Sequence, residues 1–255
     1  MPCCLTWTAE LGATSRIDHR PNDNGEQAPR SAAEVLSYIL VRPHKQRHDF
    51  ATGAVSIMEK RLAWLGIFAS LGFVLALAVF SVLRPEYSNR TNAVSELGFA
   101  GAPYSIVWNW VAFAFVGFLV VVFSWSLRAS LRSEPGAVAI PLLVGASGIG
   151  FAGLGVFPAE MGFRPSIATS IHFAMVSVNY LPFVVVAFLF AAKLRALDYW
   201  RRWAMSSGGI GVVAVASFFI PSSVPSGLSQ RVGIGAYLLR LFVVSVALLR
   251  RPGRV

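Results

Sequence analysis

Residues 84–103 read RPEYSNRTNAVSELGFAGAP. This is the most polar interval in the apolar part of the chain. The uncharged run Leu62–Leu83 precedes it, and a second apolar run begins at Ile106. A polar interval between two such runs reads as a loop joining two membrane spans, and four more apolar runs follow. The architecture this predicts is all-α: a polytopic membrane protein built as a six-transmembrane-helix bundle, with 84–105 as its first loop.

Composition points the same way. Of the 255 residues, 55% are hydrophobic and 13% are charged, whereas a soluble domain carries about 25% charge. There is too little polar side chain to cover a water-facing surface. The net charge of +10 sits at the ends of the apolar runs. That is the membrane pattern rather than the basic stripe of a nucleic-acid binder. The only cysteines are the adjacent Cys3 and Cys4. Neither a disulfide framework nor a zinc site has support. Outside residues 1–57 the single histidine is His172, so no metal and no cofactor is expected.

Residues 1–57 differ from the rest. They mix charges evenly and are rich in Asn, Pro, Arg, His and Gln, with one short helical stretch at Ala32–Val41. They lack the basic-then-apolar order of a signal peptide. The reading is a disordered tail, or sequence upstream of a true start at Met58; residues 58–255 form the membrane domain.

Span one is Leu62–Leu83, about 33 Å long at a rise of about 1.5 Å per residue. Span two, roughly Ile106–Leu127, carries Asn109 between Trp108 and Trp110. Span three, roughly Ala137–Phe157, places Gly145, Gly148, Ala152 and Gly155 on one face. Small residues let helix backbones approach closely, so this face is expected at the bundle centre. Span four, Ile171–Ala192, contains Pro182, which removes a backbone donor and is expected to kink it. Span five is roughly Trp203–Ile220, and span six is Val232–Leu249 with Arg240 near its middle.

Lysine and arginine near span ends set orientation. Lys60, Arg61, Arg128, Arg132, Lys193, Arg195, Arg201, Arg202, Arg250, Arg251 and Arg254 fall on one side, and Arg84, Arg90, Arg164 and Arg231 on the other. Eleven against four puts both termini in the cytoplasm of a multi-pass protein of the cell (inner) membrane, with 84–105, 158–170 and 221–231 facing outward.

The informative polar residues gather at that outer side. They are Ser95 and Glu96 in the first loop, His172 at the mouth of span four, and Gln230 and Arg231 at the mouth of span six. Asn109, Asn179, Tyr237 and Arg240 lie deeper. Each has a bland reading. Asn109 and Asn179 serve as interhelical hydrogen-bond glue. His172 bonds at a helix mouth, Arg231 anchors to lipid phosphate, and Glu96 caps span two or pairs with an arginine. Arg240 is the exception. A mid-span arginine costs about 2.5–3.5 kcal/mol on insertion scales and must face the bundle with a partner. No span contains an acidic residue, so that partner is a carbonyl, an Asn, a Tyr, water, a loop carboxylate or an anionic ligand.

With these residues laid out, the chain resembles the domain-of-unknown-function family 998 (DUF998), six-span membrane proteins of bacteria and archaea. The likeness rests on Tyr87-Ser88 and Ser95-Glu96-Leu97-Gly98 in the first loop and on Asn109. It continues through Gly155-Val-Phe157-Pro158, His172 and Gln230-Arg231. It covers about residues 60–250. The family's loop usually reads Ser-Asp-Leu-Gly; here Glu96 stands in place of the Asp, one methylene longer. The loop also resembles, faintly, the DRAM and Sfk type of six-span eukaryotic proteins, which are linked to lipid organisation. The family implies no settled activity.

Three functions remain open at this point. One is binding or moving a membrane lipid or other small amphiphile in an outer-half cavity. There Arg231, Arg240, Gln230, Tyr237, Asn109 and Asn179 would contact the ligand, with Glu96 and His172 completing the wall. Another is a membrane-embedded hydrolase or transferase using His172 as base, Glu96 to orient it and Ser95 as nucleophile. The third is a structural or assembly protein without a ligand. An enzyme requires His172 within hydrogen-bond reach of Ser95 or Glu96; a scaffold requires a filled interior.

Overall fold

The computed structural model describes residues 44–160, 166–221 and 223–252, with side chains from Met58 onward. The expected helical stretch at 32–41, most of the expected tail and Arg164 lie outside the described residues. The chain divides into two units, Met1–Thr52 and Gly53–Val255. The second holds all the candidate spans.

Apolar runs become helices because helix formation satisfies every backbone donor and acceptor within the run itself. The helices are α1 (His44–Leu83), α2 (Ser105–Ser130), α3 (Ala139–Val156), α4 (Ile167–Leu194), α5 (Arg201–Ser217) and α6 (Ser226–Arg250). A short 3₁₀ turn, Val94–Gly98, lies in the first loop. Among the described residues, five helices are long and apolar enough to cross a membrane: α1 from Met58, α2, α3, α4 and α6. The fifth of the six expected spans is the shorter one. α5 has 17 residues with Arg201 and Arg202 in its first turn, about 26 Å at a rise of about 1.5 Å per residue. It ends at Ser217 because the chain turns through Phe218–Ile220 ahead of Pro221. Val82, Ile106, Leu142, Leu181 and Phe219 are exposed on the outside of the bundle. This apolar exterior suits lipid and would not suit water. The chain is an all-helical, multi-pass membrane protein.

α3 is the central helix, gripped on two faces. The small-residue face read from the sequence lies against α2. A Cβ on Gly155 would sit 2.3 Å from the Asn109 carbonyl oxygen, and one on Gly117 of α2 would sit 2.3 Å from the Ala152 nitrogen. The opposite face lies against α4, where a Cβ on Gly150 would sit 2.3 Å from the Asn179 nitrogen. Opposite Gly155, residues Asn109–Phe115 of α2 wind as a wider π-helical segment. α4 remains one continuous helix through Pro182.

Rings join the remaining helices around α3. Phe151 packs on Phe73 of α1 at 5.5 Å, on Phe113 of α2 at 5.5 Å, and stacks on Tyr237 of α6 at 5.3 Å. Tyr237 in turn meets Phe183 of α4 edge-on at 5.1 Å. The Ser70 hydroxyl donates to the Leu238 carbonyl at 2.9 Å, tying α1 to α6.

The loops sort to two ends. At the first-loop end, Ala100 N–H donates to the Ala159 carbonyl at 3.0 Å. At the opposite end, Arg251 pairs with Glu134 at 2.5 Å, donates to the Ser130 carbonyl and lies over the Trp200 ring at 5.1 Å. One arginine there joins the α2–α3 loop, the α4–α5 turn and the end of α6.

Candidate functional site

The first loop is laced to the start of α6. Arg231 Nη1 donates to the Asn92 carbonyl at 2.9 Å and to the Gly227 carbonyl at 2.7 Å. Its Nη2 donates to Tyr87 Oη at 2.5 Å and Asn89 Oδ1 at 2.9 Å. Its Nε is buried without a partner among the described residues. Gln230 Oε1 accepts the Val94 N–H at 2.5 Å, and Ser226 Oγ donates to the Thr91 carbonyl at 3.2 Å. Gly227 allows the approach: a Cβ there would lie 2.6 Å from the Asn92 carbonyl oxygen. Burial pushes the Tyr87 hydroxyl above its ordinary pKa, against the pull of the Arg231 guanidinium. The phenol therefore keeps its proton at neutral pH and donates it to the Ala93 carbonyl at 3.2 Å.

Glu96 is turned into its own loop. Its Oε1 accepts the Ala93 N–H at 2.7 Å, and its Oε2 accepts Asn92 Nδ2–H at 2.6 Å. The carboxylate caps the 3₁₀ turn that it belongs to, a local use of negative charge at a helix start. Asn109 Nδ2 donates to the Gly98 carbonyl at 2.8 Å and holds the far end of that turn to α2.

Beneath this laced loop lies a cavity of about 420 Å³. Ser95 of the loop, His172, Val176 and Asn179 of α4, and Gln230 and Gly233 of α6 line it, with Phe151 at its inner wall and the end of α5 at its side. Its volume falls in the range of about 300–1,000 Å³ usual for small-molecule sites. His172 is buried, and its Nδ1 bonds the Phe157 carbonyl at 2.9 Å. Asn179 Nδ2 donates to the Ser147 carbonyl at 2.9 Å. Tyr180 Oη donates to the Ala214 carbonyl at 2.8 Å and meets Ser217 Oγ at 3.0 Å, joining α4 to α5 where Gly233 of α6 leaves room. Among the described residues, none that lines it is charged.

Arg240 lies elsewhere. Its Nε donates to Ser207 Oγ of α5 at 3.0 Å, and its Nη2 lies 3.4 Å from the Val186 carbonyl of α4. The guanidinium sits 5.7 Å from the Phe190 ring centre. Val186 and Phe190 belong to the last third of α4 and Ser207 to the first half of α5, so Arg240 turns away from the first-loop end. Among the described residues no carboxylate pairs with it; its partners are a hydroxyl, a carbonyl and a ring face.

The structure thus brings together His172, Asn179, Gln230 and Ser95 around one cavity. It does not bring Arg231, Arg240, Glu96 or Asn109 to that wall. Tyr237 lies deeper, stacked on Phe151, with its hydroxyl 3.5 Å from Ser147 Oγ. None of the hydrogen bonds of His172, Ser95 and Glu96 joins one of them to another. Tyr180 and Ser217 were not legible as site residues. Each reads as ordinary span sequence until packing shows that three helices meet there.

The family model described as "Protein of unknown function (DUF998)" matches residues 67–247. The chain belongs to the DUF998 family. No curated protein and no solved structure matches it. The matched stretch runs from within α1 to near the end of α6. The loop lacing, the cavity and Arg240 of this DUF998 protein therefore all lie inside it.

Proposed function

We propose that this DUF998 protein holds a membrane lipid or similar amphiphile in the cavity under its first loop. The observation that carries the reading is the cavity's two-part lining. Phe113, Phe151, Leu154 and Phe218 offer apolar surface, while His172, Asn179 and Gln230 offer polar groups at the same site. An apolar wall with a few convergent polar groups is how proteins bind molecules that have both ends. The interior is also not filled at this end, which disfavours a purely structural protein. A second reading, hydrolysis or transfer on such an amphiphile, draws on His172 and Ser95 sharing the wall. In that reading substrate would bridge them, since catalytic hydrogen bonds often tighten only with substrate bound.

Orientation belongs to the same proposal. The first-loop end faces outward from the cell membrane and both termini face the cytoplasm, because Lys and Arg are sparse at that end. The cavity then opens to the outer half of the bilayer.

The test is lipid retained through purification in mild detergent, identified by mass spectrometry. The wild-type protein should carry a bound amphiphile at a stoichiometry near one. Ile234 of α6 also lines the cavity, and Ile234→Trp, which adds an indole to the lining, should lose the amphiphile while keeping its melting temperature. Equal lipid in both proteins would overturn the reading.

A further inference from the structure

The cavity's polar groups also specify the kind of head group that it takes. The inference rests on the cavity being the binding site. Among the described residues, three of the formal charges near it in sequence are Glu96, Arg231 and Arg240, and each side chain is engaged away from the cavity wall. Glu96 caps its own turn, both Nη groups of Arg231 go to the first loop and Gly227, Arg240 reaches Ser207 and Val186, and none of the three lines the cavity. A phosphate or carboxylate placed in the cavity would therefore be desolvated with no cation among the described lining residues to meet it, which is strongly unfavourable.

The uncharged groups that remain are of both kinds. A carbonyl cannot donate, so the His172 Nδ1 facing Phe157 carries the proton, and Nε2 is the acceptor the neutral ring has left. Gln230 Oε1 is occupied by Val94 N–H, which leaves the two Nε2 hydrogens as donors. The Ser226 and Ser229 hydroxyl hydrogens go to backbone carbonyls, which leaves oxygen lone pairs as acceptors. A wall that both donates and accepts, with no net charge, matches a group that does the same. The simplest amphiphile head group of that kind is the hydroxyl. We propose that the cavity selects an uncharged, hydroxyl-bearing amphiphile, such as a diacylglycerol or a long-chain isoprenoid alcohol, and rejects anionic lipids.

The experiment uses full-length protein in phosphatidylcholine nanodiscs and three short probes: dioctanoylglycerol, farnesol and dioctanoyl phosphatidic acid. Binding is read by native mass spectrometry with competition among the probes. Dioctanoylglycerol or farnesol should bind at least tenfold more tightly than the phosphatidic acid, and whichever of the two binds more tightly identifies a glycerol or an isoprenoid source. Ile234→Trp should abolish binding. Ile234→Lys, which places a cation in the cavity, should reverse the preference toward phosphatidic acid. If phosphatidic acid binds wild-type protein as well as the neutral probes do, and Ile234→Trp still blocks it, the head-group class is wrong and the cavity stands. If no probe binds, or Ile234→Trp changes nothing, the cavity itself is not the site.

Discussion

At the scale of the residue, two arginines nine positions apart on α6 do different work. Arg231 has four acceptors within reach, three in the first loop and one the carbonyl of Gly227 in its own helix. Its planar fork can span several acceptors at once, which a lysine could not do. Arg240 is 2% exposed and has no carboxylate partner among the described residues. Buried charge of this kind is seldom a net stabiliser, because desolvation offsets most of what its bonds return. Arg240→Met keeps the length and removes the charge. It should be neutral, or stabilising by about 1–3 kcal/mol, since Ser207 Oγ still donates to the Ala187 carbonyl at 3.1 Å. Ser207→Ala should do the opposite and cost about 1–3 kcal/mol, because it strands a buried charged donor. Unfolding in detergent measures both. A loss of several kcal/mol in Arg240→Met would mean that the arginine is a net stabilising link between α4, α5 and α6.

At the scale of the element, α3 decides how the bundle packs. Lipid tails are as apolar as the helices, so close backbone approach and dispersion replace the hydrophobic effect as the attraction between helices. Gly150 and Gly155 make that approach on opposite sides of α3. Ala is the better helix former by about 1 kcal/mol in a helix interior. Gly72 of α1 is exposed, and a Cβ added there would meet nothing within 4 Å. Gly72→Ala should therefore be neutral or raise stability by up to about 1 kcal/mol. Gly150→Ala should lower it by about 1–3 kcal/mol, because the methyl meets the Asn179 backbone rather than a side chain that can swing away. Thermal melts of the two variants side by side separate the packing cost from helix propensity. Equal effects would mean that α3 and α4 separate without penalty.

At the scale of the whole molecule, the laced loop, the cavity and the α3–α4 turn lie at one end, and the Arg251–Glu134 clamp lies at the other. The proposed orientation makes a direct prediction. Reporter fusions at Arg132 and Arg195 should read cytoplasmic, and one at Glu160 should read external. The opposite pattern at two of these sites would invert the protein and place the cavity in the inner half of the bilayer.

The helices and their order were legible because a membrane span must be a long apolar run that bonds its own backbone, and such runs stand out in any sequence. The small-residue face of α3 was legible for a similar reason, since helical spacing alone puts Gly145, Gly148, Ala152 and Gly155 together. The short α5 was legible too, although its helix runs Arg201–Ser217 rather than Trp203–Ile220. Where the charges point was not legible. Gln230 and Arg240 are ten positions apart, and at about 100° per residue they diverge by roughly 80° around the helix. A side chain as long as arginine then turns toward whichever neighbour offers an acceptor. For Arg240 that neighbour is Ser207, thirty-three positions away in sequence, and only helix packing places it there. The cavity is a property of the same kind. It exists because α4 and α6 stand apart beneath the loop while Gly150 draws α4 onto α3, and no local pattern in the chain records a gap between helices.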